Sequence, residues 1–147
     1  MAREYAENII VSLKSLKKIQ RAEDSMFDYI TGDLDDGQLG SDLSAVSTIL
    51  SVFLLSTPAG AVSCCAGLLG GLLSSSDKKT VIKLIEDGHR DIREKIYFLE
   101  DNPRYDKIEV KFPFIEYSTP KGDIRFITGK GVYVRCHVKN GGGWDVV

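Results

Sequence analysis

The sequence predicts an α+β fold, with helices first and an antiparallel sheet second. Three observations point there. Apolar residues recur every three or four positions as far as Asp101, they alternate with polar residues from Lys107 onward, and Asn102-Pro103 stands at the change. The expected organisation is a helical region over residues 1–102 and an antiparallel β-meander over residues 103–147, packed on the helices. The helical region is expected to hold two long amphipathic helices and a short hydrophobic helical hairpin within residues 43–76.

Residues 3–31 read as the first amphipathic helix. Ile9, Leu13, Leu16, Ile19, Met26, Phe27 and Ile30 make its stripe, and Gly32 is a good stop. Gly32–Ser41 reads as a polar loop rich in Gly and Asp. Ser41 or Asp42 can cap a second helix from about Leu43 to Ser56. Thr57-Pro58-Ala59-Gly60 interrupts it, because Pro58 lacks an N–H and biases the residue before it away from helix. A third helix is expected over Ala61–Leu73, and Ser74–Asp77 separates it from a fourth over Asp77–Asp101. Val81, Ile85, Ile92, Ile96 and Leu99 stripe this last helix, and Gly88 sits on the same face. A glycine inside a helix costs about 1 kcal/mol relative to alanine, so close approach of another helix is the expected reason for it. The first and fourth helices are expected to lie antiparallel.

From Lys107 the period becomes two. Ile108, Val110, Phe112 and Phe114 form one face, and turns follow at Thr119–Asp123, Gly129–Gly131 and Asn140–Gly143. Three to four strands are expected. Pro113 cannot donate to a ladder, which points to an edge strand or a bulge.

The chain has 147 residues, 43% hydrophobic and 27% charged, with 19 basic against 21 acidic residues. That excludes wholesale disorder and a generally basic nucleic-acid binder. Cys64 and Cys65 are adjacent and Cys136 is remote. No closed disulfide framework follows, so reduced thiols and cytoplasmic synthesis without a signal peptide are expected.

Catalytic signatures are lacking. There is no GxSxG, HExxH or P-loop, and no cofactor or metal is expected. His89 and His137 lie in different regions. Cys136 and His137 are strand neighbours whose side chains point to opposite faces. Asp33, Asp35 and Asp36 read as a solvated loop. The sheet half interleaves Lys107, Lys111, Arg125 and Arg135 with Tyr117 and Tyr133, but Glu109, Glu116 and Asp123 lie among them. A mixed sheet face is therefore expected, with no nucleic acid and no evident small-molecule substrate.

The largest departure from average is a run without charge. Residues 1–42 hold five basic and nine acidic residues, residues 77–147 hold fourteen and twelve, and the 34 residues Leu43–Ser76 hold none. A helix that is apolar all round must be buried in something, and a chain of this size leaves roughly a third of its extended surface exposed. Burial is therefore expected to involve a neighbour: a second copy, another protein, or lipid. Leu50, Phe53, Leu54, Leu68, Leu69, Leu72 and Leu73 are the expected contacts. Ala59, Ser63, Gly67 and Gly71 recur every four residues, a ladder that lets helices approach closely, and Gly88 is grouped with them.

In this one feature the segment resembles the hydrophobic hairpin of pore-forming bacteriocins or a viral fusion segment. That likeness implies membrane insertion. It is confined to residues 43–73, and the C-terminal sheet does not match the all-helical bacteriocin pore domain. The leading expectation is a non-enzymatic structural protein that oligomerises or binds a partner through the hairpin, such as a component of a phage or secretion apparatus. The alternative is a membrane-inserting protein using the same segment.

Overall fold

A computed structural model of the chain describes residues 2–73 and 75–147, with Leu72 and Ser75 described through their backbone alone. The order is β1 (Ala2–Ser12), α1 (Leu13–Ile30), α2 (Asp36–Ser44), a 3-10 helix (Ser47–Phe53), α3 (Pro58–Gly67) running into a π turn (Leu68–Leu72), α4 (Ser75–Asp101), β2 (Tyr105–Thr119), β3 (Gly122–Ile127), β4 (Val132–Val138) and β5 (Gly143–Val146). The fold is α+β, with four α-helices among the described residues and an antiparallel sheet.

The first helix is shorter than expected, because residues 2–12 form a strand. β1 pairs antiparallel with β2 along its whole length, from Ala2 opposite Tyr117 to Ser12 opposite Lys107. The β-branched run Ile9-Ile10-Val11 suits a pleated strand. The apparent helical step from Ile9 to Leu13 spans the junction of two elements. Ser12 then caps α1 by accepting from Ser15 N–H at 3.1 Å. α1 runs antiparallel to α4, as two contacts between them record: Lys17 pairs with Glu100 at 3.6 Å and His89 Nδ1 meets Asp24 at 3.0 Å.

The polar loop also differs from expectation. Residues 36–44 form α2, capped by Asp35 rather than by Ser41 or Asp42. The Asp35 carboxylate accepts from Gln38 N–H at 2.8 Å. The helix expected from Leu43 to Ser56 is instead the end of α2 followed by the 3-10 helix. That helix stops at Leu54, which adopts a left-handed conformation at φ 66°. Pro58 starts α3 rather than only breaking its predecessor. It stands at the helix N-terminus, where its missing N–H costs nothing, and Thr57 caps it by accepting from Gly60 N–H at 3.0 Å. Ser74, expected in the following break, lies outside the described residues.

The sheet is not a simple meander. β2 is central, with β1 on one edge and both β3 and β4 end to end on the other, while β5 pairs with β4. Pro113 is therefore on the central strand, which corrects the edge assignment. Its carbonyl accepts from Thr128 N–H at 3.0 Å, so its ladder side faces the gap between the end of β3 and the start of β4. No ladder N–H is needed there. The register shifts fall elsewhere, between Tyr105 and Lys107 and between Glu109 and Val110.

Gly88 does permit a close approach, but of a strand. A Cβ there would stand 1.9 Å from the Ile127 carbonyl oxygen, so α4 packs directly on the backbone end of β3. One hydrophobic cluster joins the helices to the sheet, with Leu16, Met26, Ile92, Ile108, Phe112 and Phe126 among its buried members.

Candidate functional site

The uncharged block has two sides. Its inner side belongs to the protomer's own core: Leu50, Phe53 and Leu68 are fully buried, together with Ile49, Leu55, Ala61, Cys64 and Cys65. These side chains are covered by α1, α2, β3 and the rest of the block, so they have no surface to offer a neighbour. This corrects the expectation that Leu50, Phe53 and Leu68 need an external partner. The core absorbs more of the block than the size argument allowed, because α1, α2 and β3 converge on its larger side chains.

The outer side is different. Leu54 and Leu69 are 42% and 39% exposed, and Leu73 is half-buried. The side chain of Leu72 lies outside the described residues. On α3 and the π turn, Ala59, Ala66, Gly70 and Gly71 are exposed and Ser63 is half-buried. Positions 59, 63, 66 and 70 share one helical face. The four-residue ladder is thus split. A Cβ at Gly67 would touch Thr119 Cβ at 3.4 Å, so Gly67 packs on the last residue of β2, whereas Gly70 and Gly71 have nothing within 4 Å. Gly88 serves the α4–β3 contact and is no part of this face.

Beside the block's end, a groove of about 320 Å³ lies between Leu73, the start of α4 (Asp77, Thr80, Val81, Leu84), Ala2 and Glu4 of β1, and Ile115 and Tyr117 of β2. Its floor is apolar and its rim carries carboxylates. Burial, with Asp77 and Glu4 nearby, pushes the Tyr117 phenol up to about 12.

The titratable groups inside the fold serve its seams. On α4, Lys95 Nζ donates to Asp91 Oδ1 at 2.8 Å, the other Asp91 oxygen accepts from Gly131 N–H at 2.7 Å, and Lys95 lies 4.4 Å from the centre of the Tyr133 ring. Arg125, which the sequence placed on a mixed, solvated sheet face, is buried instead. It donates to the Val52 carbonyl at 2.7 Å, the Tyr5 hydroxyl at 3.0 Å and Glu7 at 2.7 Å, and stacks 3.9 Å over the Phe114 ring. Asp35 and Asp36 act locally, as a cap and as the acceptor for the Tyr29 hydroxyl at 2.6 Å. Cys136 is buried, while His137 meets Asp106 at 2.7 Å on the other face.

Where α1, α4 and β3 meet, Glu23 is fully buried. One carboxyl oxygen accepts from Ile127 N–H at 2.6 Å; the other faces His89 Nε2 at 3.7 Å, and neither of these two facing atoms has a hydrogen-bond partner. Burial holds the Glu23 carboxyl well above its ordinary range and the His89 imidazole below its own. His89 Nδ1 is turned to Asp24 at 3.0 Å, which leaves Nε2 facing the Glu23 oxygen.

Sequence reasoning did not single out Glu23, Lys95 or Asp91. A signal was present: Glu23 falls on the stripe Leu16, Ile19, Met26, Ile30, and Lys95 follows Asp91 by one helical turn on a buried face. No protein-family model, curated protein or solved structure matches this chain.

Proposed function

We propose that this chain is a non-enzymatic association protein whose contact is the outer side of the uncharged block, taken up by a second copy or by a protein partner in a larger assembly. One observation carries the reading. The face formed by Ala59, Ser63, Ala66, Leu69 and Gly70 is left uncovered by the protomer's own elements, yet it lies in a stretch without a single charged residue. Its small side chains allow another helix to approach closely, and covering Leu54 and Leu69 removes apolar surface from water at roughly 25 cal/mol per Å². The buried inner side fixes this face rigidly to the fold.

The test is sedimentation velocity over a dilution series, comparing wild type with Ala66→Glu. Ala66 is exposed, so the added carboxylate leaves the protomer folded. Wild type is expected to show mass above the monomer that falls on dilution, and Ala66→Glu to show a smaller mass at every matched concentration with an unchanged unfolding midpoint. A wild type that is monomeric at every concentration, indistinguishable from the variant, contradicts the reading.

A second reading has an observation of its own. Ser47–Gly71 spans 25 residues and contains an 18-residue stretch of mean hydropathy 1.8, long and apolar enough by composition to cross a bilayer. Insertion would require Leu50, Phe53 and Leu68 to leave the core, and the left-handed Leu54 to join a continuous helix. Co-flotation with anionic and neutral liposomes separates the two readings. Membrane insertion requires wild type to float and Ala66→Glu to remain below, whereas the association reading expects neither to float.

A further inference from the structure

β1 is an edge strand whose free side is long. It has 11 residues, pairs with β2 on one side only, and no backbone hydrogen bond engages its other side among the described residues. Its register with β2 is unbroken, and it contains no proline and no bulge. Proline and bulges are two of the devices that keep an edge from pairing with another chain; charged side chains are a third, and β1 carries Arg3, Glu4 and Glu7, whose signs therefore decide what can pair with it.

The orientation of its backbone groups follows from the far side of β2. Thr128 N–H donates to the Pro113 carbonyl, so Pro113 turns its polar groups away from β1. Ala6 lies opposite Pro113, so the two form a pair that exchanges no hydrogen bonds, and Ala6 turns its own N–H and C=O outward. By alternation, Ala2, Glu4, Asn8 and Ile10 also face outward. Ile127 gives an independent check. Its N–H points to Glu23 and away from β2, so Phe114 opposite it must turn to β1, as the alternation requires.

We propose that the outer edge of β1 receives β1 of a second copy, antiparallel and related by a two-fold axis at Tyr5, joining two sheets into one. In this register Glu4 and Asn8, both outward-facing, lie opposite Ala6 and Ala2 of the second copy, so every exposed N–H and C=O of these residues finds a partner. Arg3 lies opposite Glu7 of the second copy, twice by symmetry, and no two like charges are opposed. Arg3 already meets Glu116 at 3.1 Å and Glu7 meets Arg125 at 2.7 Å. The contact therefore links these pairs into one alternating row, Glu116–Arg3–Glu7–Arg125, across the axis. This contact is separate from the face of α3 and does not depend on it. A chain with both contacts builds assemblies larger than a dimer.

Residue-resolved amide hydrogen exchange at two protein concentrations tests the proposal. Amides of Arg3, Tyr5, Glu7 and Ile9, bonded to β2, should be protected at both. Amides of Glu4, Ala6 and Asn8 should exchange at least about tenfold more slowly in the concentrated sample than in the dilute one. Ala66→Glu, which disrupts only the α3 face, should keep that pattern. Ala6→Pro removes an outward-facing N–H while leaving the bonds to β2, and should abolish the concentration dependence at Glu4 and Asn8. Rapid exchange at Glu4, Ala6 and Asn8 in wild type at every concentration, while their odd-numbered neighbours stay protected, would overturn the proposal whether or not Ala6→Pro folds.

Discussion

Gly88→Ala sets two well-measured effects against each other. In an open helix the change gains about 1 kcal/mol, because alanine loses less backbone freedom than glycine. In α4 the new Cβ would stand 1.9 Å from the Ile127 carbonyl oxygen, 2.6 Å from its carbon and 3.1 Å from Thr128 N. All three are backbone atoms, so no side chain can swing aside. Ordinary contact requires α4 and the end of β3 to separate by roughly 1.5 Å, given an optimum near 3.5 Å. Overpacking of this kind costs ~1–3 kcal/mol. The separation also strains two buried hydrogen bonds at the same seam, Ile127 N–H to Glu23 and Gly131 N–H to Asp91, each worth ~1–3 kcal/mol if left unmade. The net expectation is destabilisation by about 2–4 kcal/mol, read as a lower urea midpoint with an unchanged slope. Gly70→Ala is the control, since a Cβ there meets nothing within 4 Å, and it should cost nothing. A Gly88→Ala protein as stable as wild type, or more so, would refute the packing argument.

Three further predictions concern the buried polar groups. Lys95→Met leaves one Asp91 oxygen unpaired in the core and should cost ~3–5 kcal/mol; the double change with Asp91→Asn should recover part of that in denaturant titrations, and a neutral single change would contradict it. Arg125→Lys cannot reproduce bonds to Val52, Tyr5 and Glu7 together, and should cost about 2 kcal/mol or more by the same assay. Glu23→Gln should flatten the pH dependence of thermal unfolding. The Glu23 pKa is raised in the folded state, so its contribution is full at low pH and is lost as pH rises through the folded value. His89, lowered from 6.5, contributes above that value and loses its contribution as pH falls through the folded one. The variant should keep the acid-side loss and lose the alkaline-side one, below the range where tyrosines titrate; parallel profiles would contradict the assignment.

How much of this was readable in the sequence depends on how local each signal is. α4 and β2–β4 were placed by their own periodicity, and Gly88 was recognised as a packing position, although the neighbour proved to be a strand. β1 is hard to read because its partner lies about a hundred residues along the chain; the run Ile9-Ile10-Val11 is its one local strand signal, and the same apolar residues also fit a helical stripe. α2 has a local signal of its own. Asp35 followed by Gln38 is the spacing of a helix-capping pair, but the Gly and Asp content argued for a loop. The uncharged block was identified correctly as unusual, but its burial was misjudged. Whether Leu50, Phe53 and Leu68 find cover within one protomer depends on α1, α2 and β3 converging on them, which is a tertiary fact. The outer face of Ala59, Ala66 and Leu69 is the part of that inference that remains.

Hydroxyl-radical footprinting of concentrated and dilute samples measures the two-sided character of the block directly. Leu54 and Leu69 should label readily when dilute and become protected when concentrated, while Leu50 and Phe53 stay unlabelled in both. Equal labelling of Leu54 and Leu69 at all concentrations, or labelling of Phe53 in the folded protein, would contradict the account.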